Sequence, residues 1–287
     1  SSSTTTCSFF TFDKEIFSHY YIQKNKRFSM FISEIVSNWK LVLELSKIDF
    51  KLRYKSSFLG LLWVVLEPLL MMAVLYMVFS RVARFDIPYY PMVLLSGLIQ
   101  WQFFSKASSA GLSSIVQKKA YVTKLAFPRQ IIVLSSCLST YYIYLFEMLV
   151  FLCLFAFFGS GFSWFLFYLF PISLLFLFFV YSISLFLSAI NVRLRDINYL
   201  WAVVLRAGFY LTPVFYTSDR IPERYQFFFF LNPITGLIEM VRAATFSMYH
   251  DRLFHFGVIM FLIASLILFI TGSIYFHFRQ KSFVEEL

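Results

Sequence analysis

Charged residues are scarce in this chain of 287 residues: aspartate, glutamate, lysine and arginine together make up only 14% of it. Apolar residues make up 60%, and the mean hydropathy is +0.73. A chain with so few polar side chains cannot cover the surface of a compact water-soluble domain. The composition therefore predicts a polytopic, all-α integral membrane protein.

Motifs for nucleotide hydrolysis and for metal- or serine-based hydrolysis are also absent. The sequence contains no G-x-x-x-x-G-K-[ST] phosphate loop, no H-E-x-x-H pair and no serine in a G-x-S-x-G turn. His250 and His255 flank Asp251, but a spacing of five puts two histidines on different faces of a helix. That spacing favours a polar cluster at the membrane surface over a metal site. We predict no catalytic residue, no metal and no cofactor bound by this chain.

Cysteine is rare, with only Cys7, Cys137 and Cys153. An odd number of cysteines, two of them inside apolar runs, indicates free thiols and no disulfide framework. Residues 1–32 lack the charged start and short apolar core of a cleavable signal peptide. We expect them to form a cytoplasmic N-terminal extension.

Long apolar runs recur along the rest of the chain. About twenty helical residues, each rising ~1.5 Å, cross a hydrocarbon core of ~30 Å. The predicted transmembrane helices are 58–79, 91–112, 131–158, 164–190, 198–216 and 254–278. Six spans put both termini on the same side of the membrane. A short tail, 279–287, follows the last span.

A further apolar stretch, 227–246, lies between the fifth and sixth predicted spans. It is interrupted by Asn232-Pro233 and carries Glu239 and Arg242. A full span would leave these charges in lipid, so we predict a re-entrant helical hairpin that enters the outer leaflet and returns. Interrupted backbone at membrane depth requires packing against protein or a cavity.

Residues 33–57 precede the first span and have a helical pattern of apolar and basic positions. Ile35, Trp39, Val42, Leu45, Ile48 and Leu52 recur every three or four residues, and lysines occupy the opposite stripe. This period predicts an amphipathic helix in the membrane interface. The alternative is a soluble helix packed on a core.

Basic residues are distributed unequally between the two sides of this topology. Eighteen lysines and arginines lie on the side of the N-terminus, within residues 1–57, 106–129, 193–195 and 279–281, and six lie on the other side. The excess of positive charge in cytoplasmic loops predicts a multi-pass protein with both termini in the cytoplasm. Attraction to anionic headgroups also accounts for most of the net charge of +10 without any nucleic-acid partner.

Several short motifs then occur in a fixed order along residues 33–278. They are Arg53 to Gly60, Trp63, Glu67-Pro68, Gly97 with Trp101, Phe103-Phe104, Val122 to Arg129, Asn191 to Ile197, Thr212 to Tyr216, Ile221 to Arg224, and Leu231 to Pro233. In this order they resemble the permease subunit of bacterial polysaccharide ABC exporters, the family that exports O-antigen, capsular polysaccharide and teichoic acid. Two features depart from the resemblance: Glu67, where a neutral residue is expected, and the long segment before Ser33.

The resemblance implies a homodimer of six-span subunits in the bacterial cytoplasmic (inner) membrane. It also implies two copies of a separate ATP-binding subunit, which use ATP and Mg, and a lipid-linked glycan substrate that passes between the permeases. The absence of a phosphate loop agrees with an energy-supplying partner. The glycan and its lipid carrier stay open at this stage.

The resemblance assigns roles to two further groups of residues. The loop 113–130 would carry the helix that couples to the ATPase, with secondary contacts from the loop after the fourth span: Ser114, Gln117, Lys118, Lys119, Tyr121, Lys124, Arg193, Arg195 and Asp196. The alternative for these loops is a basic segment held at anionic headgroups. The re-entrant stretch would close the outer end, through Phe227, Asn232, Pro233, Glu239 and Arg242.

Aromatic residues form 22% of the chain, with forty phenylalanines. Most of them, including Phe176, Phe178 and Phe179, occur in runs that cover all helix faces, for which we expect lipid contact. Rings with a polar tip and ionisable groups in the first and fifth spans are better candidates for substrate contact: Trp63, Glu67, Tyr76, Arg206, Tyr210 and Tyr216.

Ionisable residues within spans are costly unless paired. Glu67 and Arg206 lie at similar depths, about 13 Å and about 12 Å from the cytoplasmic ends of their spans at ~1.5 Å per residue. They are a candidate ion pair, within one subunit or across a dimer; the alternative is that each faces channel water alone. Glu147 lies deeper without a partner of matching depth, and is either protonated or exposed to the conduit.

Two other functions fit parts of the sequence. One is an ABC permease for lipids or drugs built on the same scaffold. The other is a membrane-embedded transferase acting on a polyprenyl carrier, which would need carboxylates or histidines clustered at the membrane surface. The cytoplasmic loops between spans offer only Asp196, which disfavours the transferase.

Overall fold

The structure, a computed structural model, describes residues 33–54, 60, 62–82, 87–124, 127–158, 164–218, 221–252, 256–280 and 282–286. Every regular element among these residues is helical, and none is a strand. The predicted extension 1–32, the end of the basic cluster at Lys55 and the side chain of Lys124 lie outside the described residues. So do His255 and the side chains of His250 and Asp251.

Helix α1, Trp39–Tyr54, corresponds to the predicted amphipathic segment. Its apolar stripe is divided between two environments. Val42 and Leu45 are buried, whereas Trp39 and Leu52 are exposed. The buried part packs on helix α5, where the Ser46 hydroxyl lies 3.1 Å from the Tyr142 hydroxyl.

Helix α2, Leu62–Tyr76, continues as a π-helical turn over Met77–Val82. It passes along one side of helix α3, Tyr90–Gln117, which runs through the middle of the bundle. The helix continues five residues beyond 112, the predicted end of the second span. Ile115 is fully buried, so the helix continues until this last apolar contact with the core is made.

A short helix α4, Lys119–Lys124, connects α3 to helix α5, Gln130–Phe158. A 3₁₀ turn at Trp164–Tyr168 then leads into helix α6, Leu169–Arg193. This helix exceeds the predicted end at 190, because the Asn191 amide donates to the carbonyl of Leu112 at 3.0 Å and holds the last turn on α3.

Helix α7 extends over Ile197–Leu211, five residues short of the predicted end at 216. Thr212 has extended backbone, as expected for a residue that precedes a proline. Pro213 also lacks the amide hydrogen that would continue the helix. At ~1.5 Å per residue, α7 is only about 22 Å long.

Two helices follow where the re-entrant stretch was predicted: α8, Glu223–Phe230, and α9, Pro233–Thr245. They meet at an angle of 95°, with the break at the predicted Asn232-Pro233. Asn232 caps α9 by accepting a hydrogen bond from the Ile234 amide, and Pro233 takes the first turn, where no amide donor is needed. A 3₁₀ turn at Ser247–Arg252 precedes helix α10, Phe256–Arg279, and the short α11, Phe283–Glu286.

In the part of the chain that the structure describes, four helical segments are long and apolar enough to cross a membrane: Leu62–Ser80, Gln130–Phe158, Trp164–Arg193 and Gly257–Arg279. The bent pair α8 and α9 makes a fifth if counted as one span. Helix α3 is long enough but carries Lys106 and several serines, since protein surrounds most of its surface. The protein is thus an all-helical integral membrane protein.

The core contains rings that the sequence suggested would face lipid. Phe176 and Phe179 are buried, so the expectation for these two residues is wrong. Phe103 of α3 packs at 4.6 Å from Tyr144 of α5 and 4.9 Å from Phe176 of α6, measured between ring centroids. Aromatic packing therefore joins the three central helices.

Candidate functional site

An open groove of about 870 Å³ lies between helices α2 and α7, with α3 as its floor. Its residues mix apolar, aromatic, polar and charged side chains: Trp63, Glu67, Leu70, Met71, Val74, Leu98, Trp101, Gln102, Ser105, Ser109, Ala202, Leu205, Arg206, Phe209 and Tyr210. The two flanking helices are little buried, with only Val64 and Pro68 in α2 and Leu205 in α7 classed as core residues. The groove therefore opens on a broad unpacked face.

Four of the six residues predicted to contact substrate line this groove: Trp63, Glu67, Arg206 and Tyr210. The other two lie elsewhere. The Tyr76 ring packs 6.0 Å from Tyr90, and the Tyr216 hydroxyl points back to the carbonyl of Tyr210 at 3.5 Å. Sequence reasoning missed the contribution of α3, which nothing in the periodicity separates from an ordinary buried helix.

A lysine of α3, the helix that forms the floor, binds the acidic residue of the α2 wall. Lys106 of α3 donates to Glu67 at 2.7 Å and to Gln102 at 3.3 Å. Glu67 therefore does not pair with Arg206 within one subunit, and the pair across a dimer stays a prediction. No described residue forms an ion pair with Arg206.

The same lysine is also the nearest cation to Glu147, the carboxylate predicted to lie deepest in the membrane. Glu147 of α5 is buried, and its Oε1 lies 3.8 Å from the Lys106 Nζ. The sequence found no partner for Glu147 because it counted Lys106 with the cytoplasmic loops. In the folded chain Lys106 instead lies between the carboxylates of Glu67 and Glu147.

At the other end of the groove, a buried ion pair holds the loop after α7. Arg242 and Glu239, both on α9, are 3.3 Å apart and almost fully buried. Arg242 donates to the carbonyls of Val214 and Tyr216 at 3.0 and 3.1 Å, and the Ser218 hydroxyl donates to Glu239 at 2.8 Å. The loop's carbonyls are thus bound by a charged group in a water-poor site.

Further hydrogen bonds to this loop come from α3 and from the turn before α9. Tyr90 donates to the carbonyl of Phe215 at 2.8 Å, and the Asn232 amide donates to the Thr212 hydroxyl at 2.8 Å. Gly97 allows the close approach, because a Cβ there would lie 2.5 Å from the Val214 carbonyl oxygen. Of the predicted outer residues, Phe227 alone is exposed at the surface.

The described residues predicted for coupling divide into a group that points into the bundle and a group that is exposed. Ser114 is buried and donates to the carbonyl of Gly111, and Lys118 turns inward to Asp49 of α1. The residues with exposed side chains are Gln117, Lys119, Tyr121, Arg193, Arg195 and Asp196. Among the predicted coupling residues whose side chains the structure describes, this second group is the one accessible to a partner protein.

Lys118 joins α1 to the start of α4. Its ammonium lies 2.5 Å from the Asp49 carboxylate and 3.1 Å from the Ser136 hydroxyl of α5. Asp49→Asn should lower the free energy of unfolding by about 1 kcal/mol, because the half-buried lysine loses its charged acceptor. Thermal unfolding of the purified protein measures it, with exposed Glu44→Asn as the matched control on the same helix. Equal midpoints of thermal unfolding for the two variants would contradict a stabilising contact between Lys118 and Asp49.

Among the described residues, no group of three or more histidine, cysteine, aspartate or glutamate side chains is arranged to hold a metal ion. The groove presents aromatic rings, one side-chain amide and charged groups side by side.

Comparison with known proteins agrees with this architecture. A profile of the family described as ABC-2 type transporter matches residues 40–246. An O-antigen export system permease protein RfbA of Klebsiella pneumoniae is 33% identical over 242 residues, which cover 82% of this chain and 87% of that protein. The protein of the same name in Myxococcus xanthus is 30% identical over 260 residues, 89% of this chain and 98% of that protein. The match spans most of the helical bundle and both ends of the groove, and the chain therefore belongs to the ABC-2 type transporter family.

Proposed function

We propose that this chain is the channel-forming subunit of an ATP-driven exporter that moves lipid-linked polysaccharide across the bacterial cytoplasmic membrane. Relatives named O-antigen export permeases, matched along most of their length, support polysaccharide as the cargo class. O-antigen, capsule and teichoic acid are the candidate glycans. Polyprenyl diphosphate and phospholipid are the candidate carriers.

The open groove between α2 and α7 is the observation that carries the proposal. Trp63 and Tyr210 offer ring faces suited to sugars, while Glu67, Gln102 and Arg206 offer hydrogen-bonding groups beside them. Exposed apolar residues continue this face on both helices, including Leu70 and Val203. A second copy of the chain covering that face would complete a conduit, so the working unit is a homodimer.

The proposed topology has six spans, with α3 and α7 added to the four apolar helices. The interface helix and basic cluster occupy 33–57, the permease domain 58–278 and the cytoplasmic tail 279–287, after the extension 1–32. Lys118 contacts Asp49, and Arg129 donates to the Gln280 carbonyl. These contacts join α1, the segment after α3 and the C-terminus at one end of the bundle, which supports a common cytoplasmic side.

The outer end would be closed by α8 and α9 as a re-entrant hairpin. Their 95° bend and the exposed Phe227 and Phe228 fit a hairpin that enters the outer leaflet. Asn232 and Pro233 form its turn, and Glu239 with Arg242 fixes it to the loop after α7. Movement of this unit would then open the outer exit.

Energy would come from two copies of a separate subunit that binds ATP and Mg. Its contact surface on this chain is proposed to be α4 with the end of α3, supplemented by the loop from Arg193 to Asp196. A short helix fixed to the long α3 can transmit a rigid-body motion of the partner. Gln117, Lys119 and Tyr121 are the exposed side chains of this segment.

Co-purification with candidate ATP-binding subunits tests the proposal. We expect a stable complex whose ATPase activity rises with defined lipid-linked glycans. Tyr121→Ala should weaken the complex on the order of tenfold, about 1.4 kcal/mol, because it removes an exposed ring from the contact. Binding of the purified subunits measures the change.

Tyr225→Ala is the matched control, since the two tyrosines are 42% and 43% exposed and lie at opposite ends of the bundle. This variant should bind the ATPase as the wild type does. The assignment would be overturned if the chain bound none of the candidate ATPases. It would also be overturned if drugs and phospholipids, but no glycan, stimulated the ATPase activity of the complex.

A further inference from the structure

Four ionisable side chains on four different helices lie in or beside the groove. Lys106 of α3 contacts Glu67 of α2 at 2.7 Å and lies 3.8 Å from Glu147 of α5, while Arg206 of α7 lines the opposite wall. Two of the four charges therefore have a close counterion in this conformation. The set places two carboxylates around one ammonium group, which in this structure donates to Glu67 and Gln102 and not to Glu147.

Glu147 is the unusual member of this set. Its side chain is 2% exposed, and its Oε1 has no hydrogen-bond partner among the described residues. A buried carboxylate oxygen without a donor is unfavourable, and such groups in a membrane protein mark functional sites. The Nζ of Lys106, the nearest cation, lies 3.8 Å from this oxygen, just beyond hydrogen-bonding distance, and is bound by Glu67.

Among the four apolar spans, the helix that carries Glu67 is the least buried. Only 11% of the apolar window of α2 is buried, compared with 39 to 56% for the other three apolar spans. Pro68 follows Glu67 directly and removes one hydrogen bond from the helix, and the helix ends in a π-helical turn. The Glu67–Lys106 pair is therefore a main polar tie between α2 and the core of the bundle.

We propose that Glu147 is a spare counterion for Lys106, which transfers from Glu67 to Glu147 when α2 moves away from α3. The transfer keeps the lysine paired in both positions, so α2 can be displaced without leaving an unopposed cation in the membrane. Glu67, once released, faces the groove and Arg206 on its other wall. Lys106 and Glu147 then act as positioning residues. The carboxylate that binds Lys106 sets the position of α2, and the position of α2 sets the width of the groove.

A different reading of the same contacts is a fixed triad, in which Lys106 neutralises both carboxylates at all times. The two interpretations differ in what each carboxylate does to α2. In a fixed triad, loss of either carboxylate weakens the same cluster, so it moves α2 in the same direction in both cases or leaves it in place. In the exchange, the two carboxylates act in opposite directions on the position of α2.

The distance between spin labels on α2 and α5 tests the exchange in the full-length chain in lipid nanodiscs. Met77 and Leu149 are 67% and 57% exposed and lie outside the groove, so cysteines there can be labelled after Cys7 and Cys153 are replaced by serine. Cys137 is fully buried. Dilution with unlabelled chains restricts the measurement to distances within one molecule.

We expect two distance populations in the unsubstituted background. Glu147→Gln should remove the displaced population, because Lys106 then has no second carboxylate. Glu67→Gln should enrich the displaced population, because α2 loses its tie. Glu44→Gln, which changes a surface carboxylate paired with Lys47 on α1, is the control and should change neither population.

Shifts in the same direction, or no shift with both variants, would overturn the exchange. Should Glu147→Gln fail to fold, Glu147→Asp takes its place: the shorter carboxylate should reduce the displaced population, and an unchanged or larger displaced population would overturn the exchange. The inference rests on the proposed function only in treating the groove as a passage. The measurement uses no substrate and no ATPase, so its failure is distinct from a failure of the exporter assignment.

Discussion

Arg242→Met should lower the free energy of unfolding by about 3–5 kcal/mol, because it leaves Glu239 charged in a buried site. The guanidinium is 1% exposed and binds the carbonyls of Val214 and Tyr216 in addition to the carboxylate. Its removal breaks three charge-assisted contacts at once. Chemical or thermal unfolding of the purified protein in detergent measures the loss, and export should fail with it.

The double variant Glu239→Gln with Arg242→Met separates the ion pair from the carbonyl contacts. We expect it to be more stable than Arg242→Met alone, since no unpaired charge then remains buried. Arg224→Met is the matched single control, because that arginine is exposed and stacks on Tyr225 at 4.5 Å. If the double variant were no more stable than Arg242→Met, the carbonyl contacts and not the charge would account for the loss.

Gly236→Ala should be the most damaging glycine substitution, with a loss of about 3 kcal/mol from overpacking. A Cβ at position 236 would lie 2.0 Å from the carbonyl oxygen of Gly257, where α9 crosses the start of α10. The Cβ is fixed to the backbone of α9 and the oxygen belongs to the backbone of α10, so the clash can be relieved only if the two helices separate. Unfolding of the purified protein measures the change.

Gly208→Ala provides the comparison for that steric argument. Its Cβ would lie 2.8 Å from Cη2 at the far end of the Trp101 ring, which can rotate away. Alanine also favours the helix by about 1 kcal/mol relative to glycine, which offsets part of the contact. We therefore expect less than about 1 kcal/mol of change. Similar losses at positions 236 and 208 would refute a backbone clash as the cause.

The break between α8 and α9 and the ends of α3 and α7 show which helix boundaries the local sequence could predict. Asn232-Pro233 predicted the break between α8 and α9, because an N-cap followed by proline acts within one helical turn. The end of α7 at Leu211 was missed, although Pro213 carried the signal, since the apolar run continued to Tyr216. The extension of α3 to Gln117 had no local signal and depended on the burial of Ile115.

The candidate site was predictable in its parts and not in its pairing. Composition and polar-tipped rings selected Trp63, Glu67, Arg206 and Tyr210, which all line the groove. The depth argument chose Arg206 as the partner of Glu67, because depth along the membrane ignores rotation about the helix axis. Lys106, 39 residues from Glu67, is the residue whose side chain faces it.

The aromatic runs show the same limit. Phe176, Phe178 and Phe179 look alike in a run that covers every helix face, yet Phe176 and Phe179 are buried among other helices. In lipid, hydropathy does not separate a ring that faces the bilayer from one that faces another helix, since both environments are apolar. Packing decides between them.

The sequence by itself determined the membrane class, the helical content, the break at Asn232-Pro233 and the residue types available to the site, because hydropathy and backbone preference act over a few neighbouring residues. Only the tertiary structure decided that Lys106 lies between Glu67 and Glu147, and that Arg242 binds the loop at Val214 and Tyr216. These contacts join residues on different elements. Their formation depends on how each helix is rotated and how closely the helices cross, and no local pattern encodes that geometry.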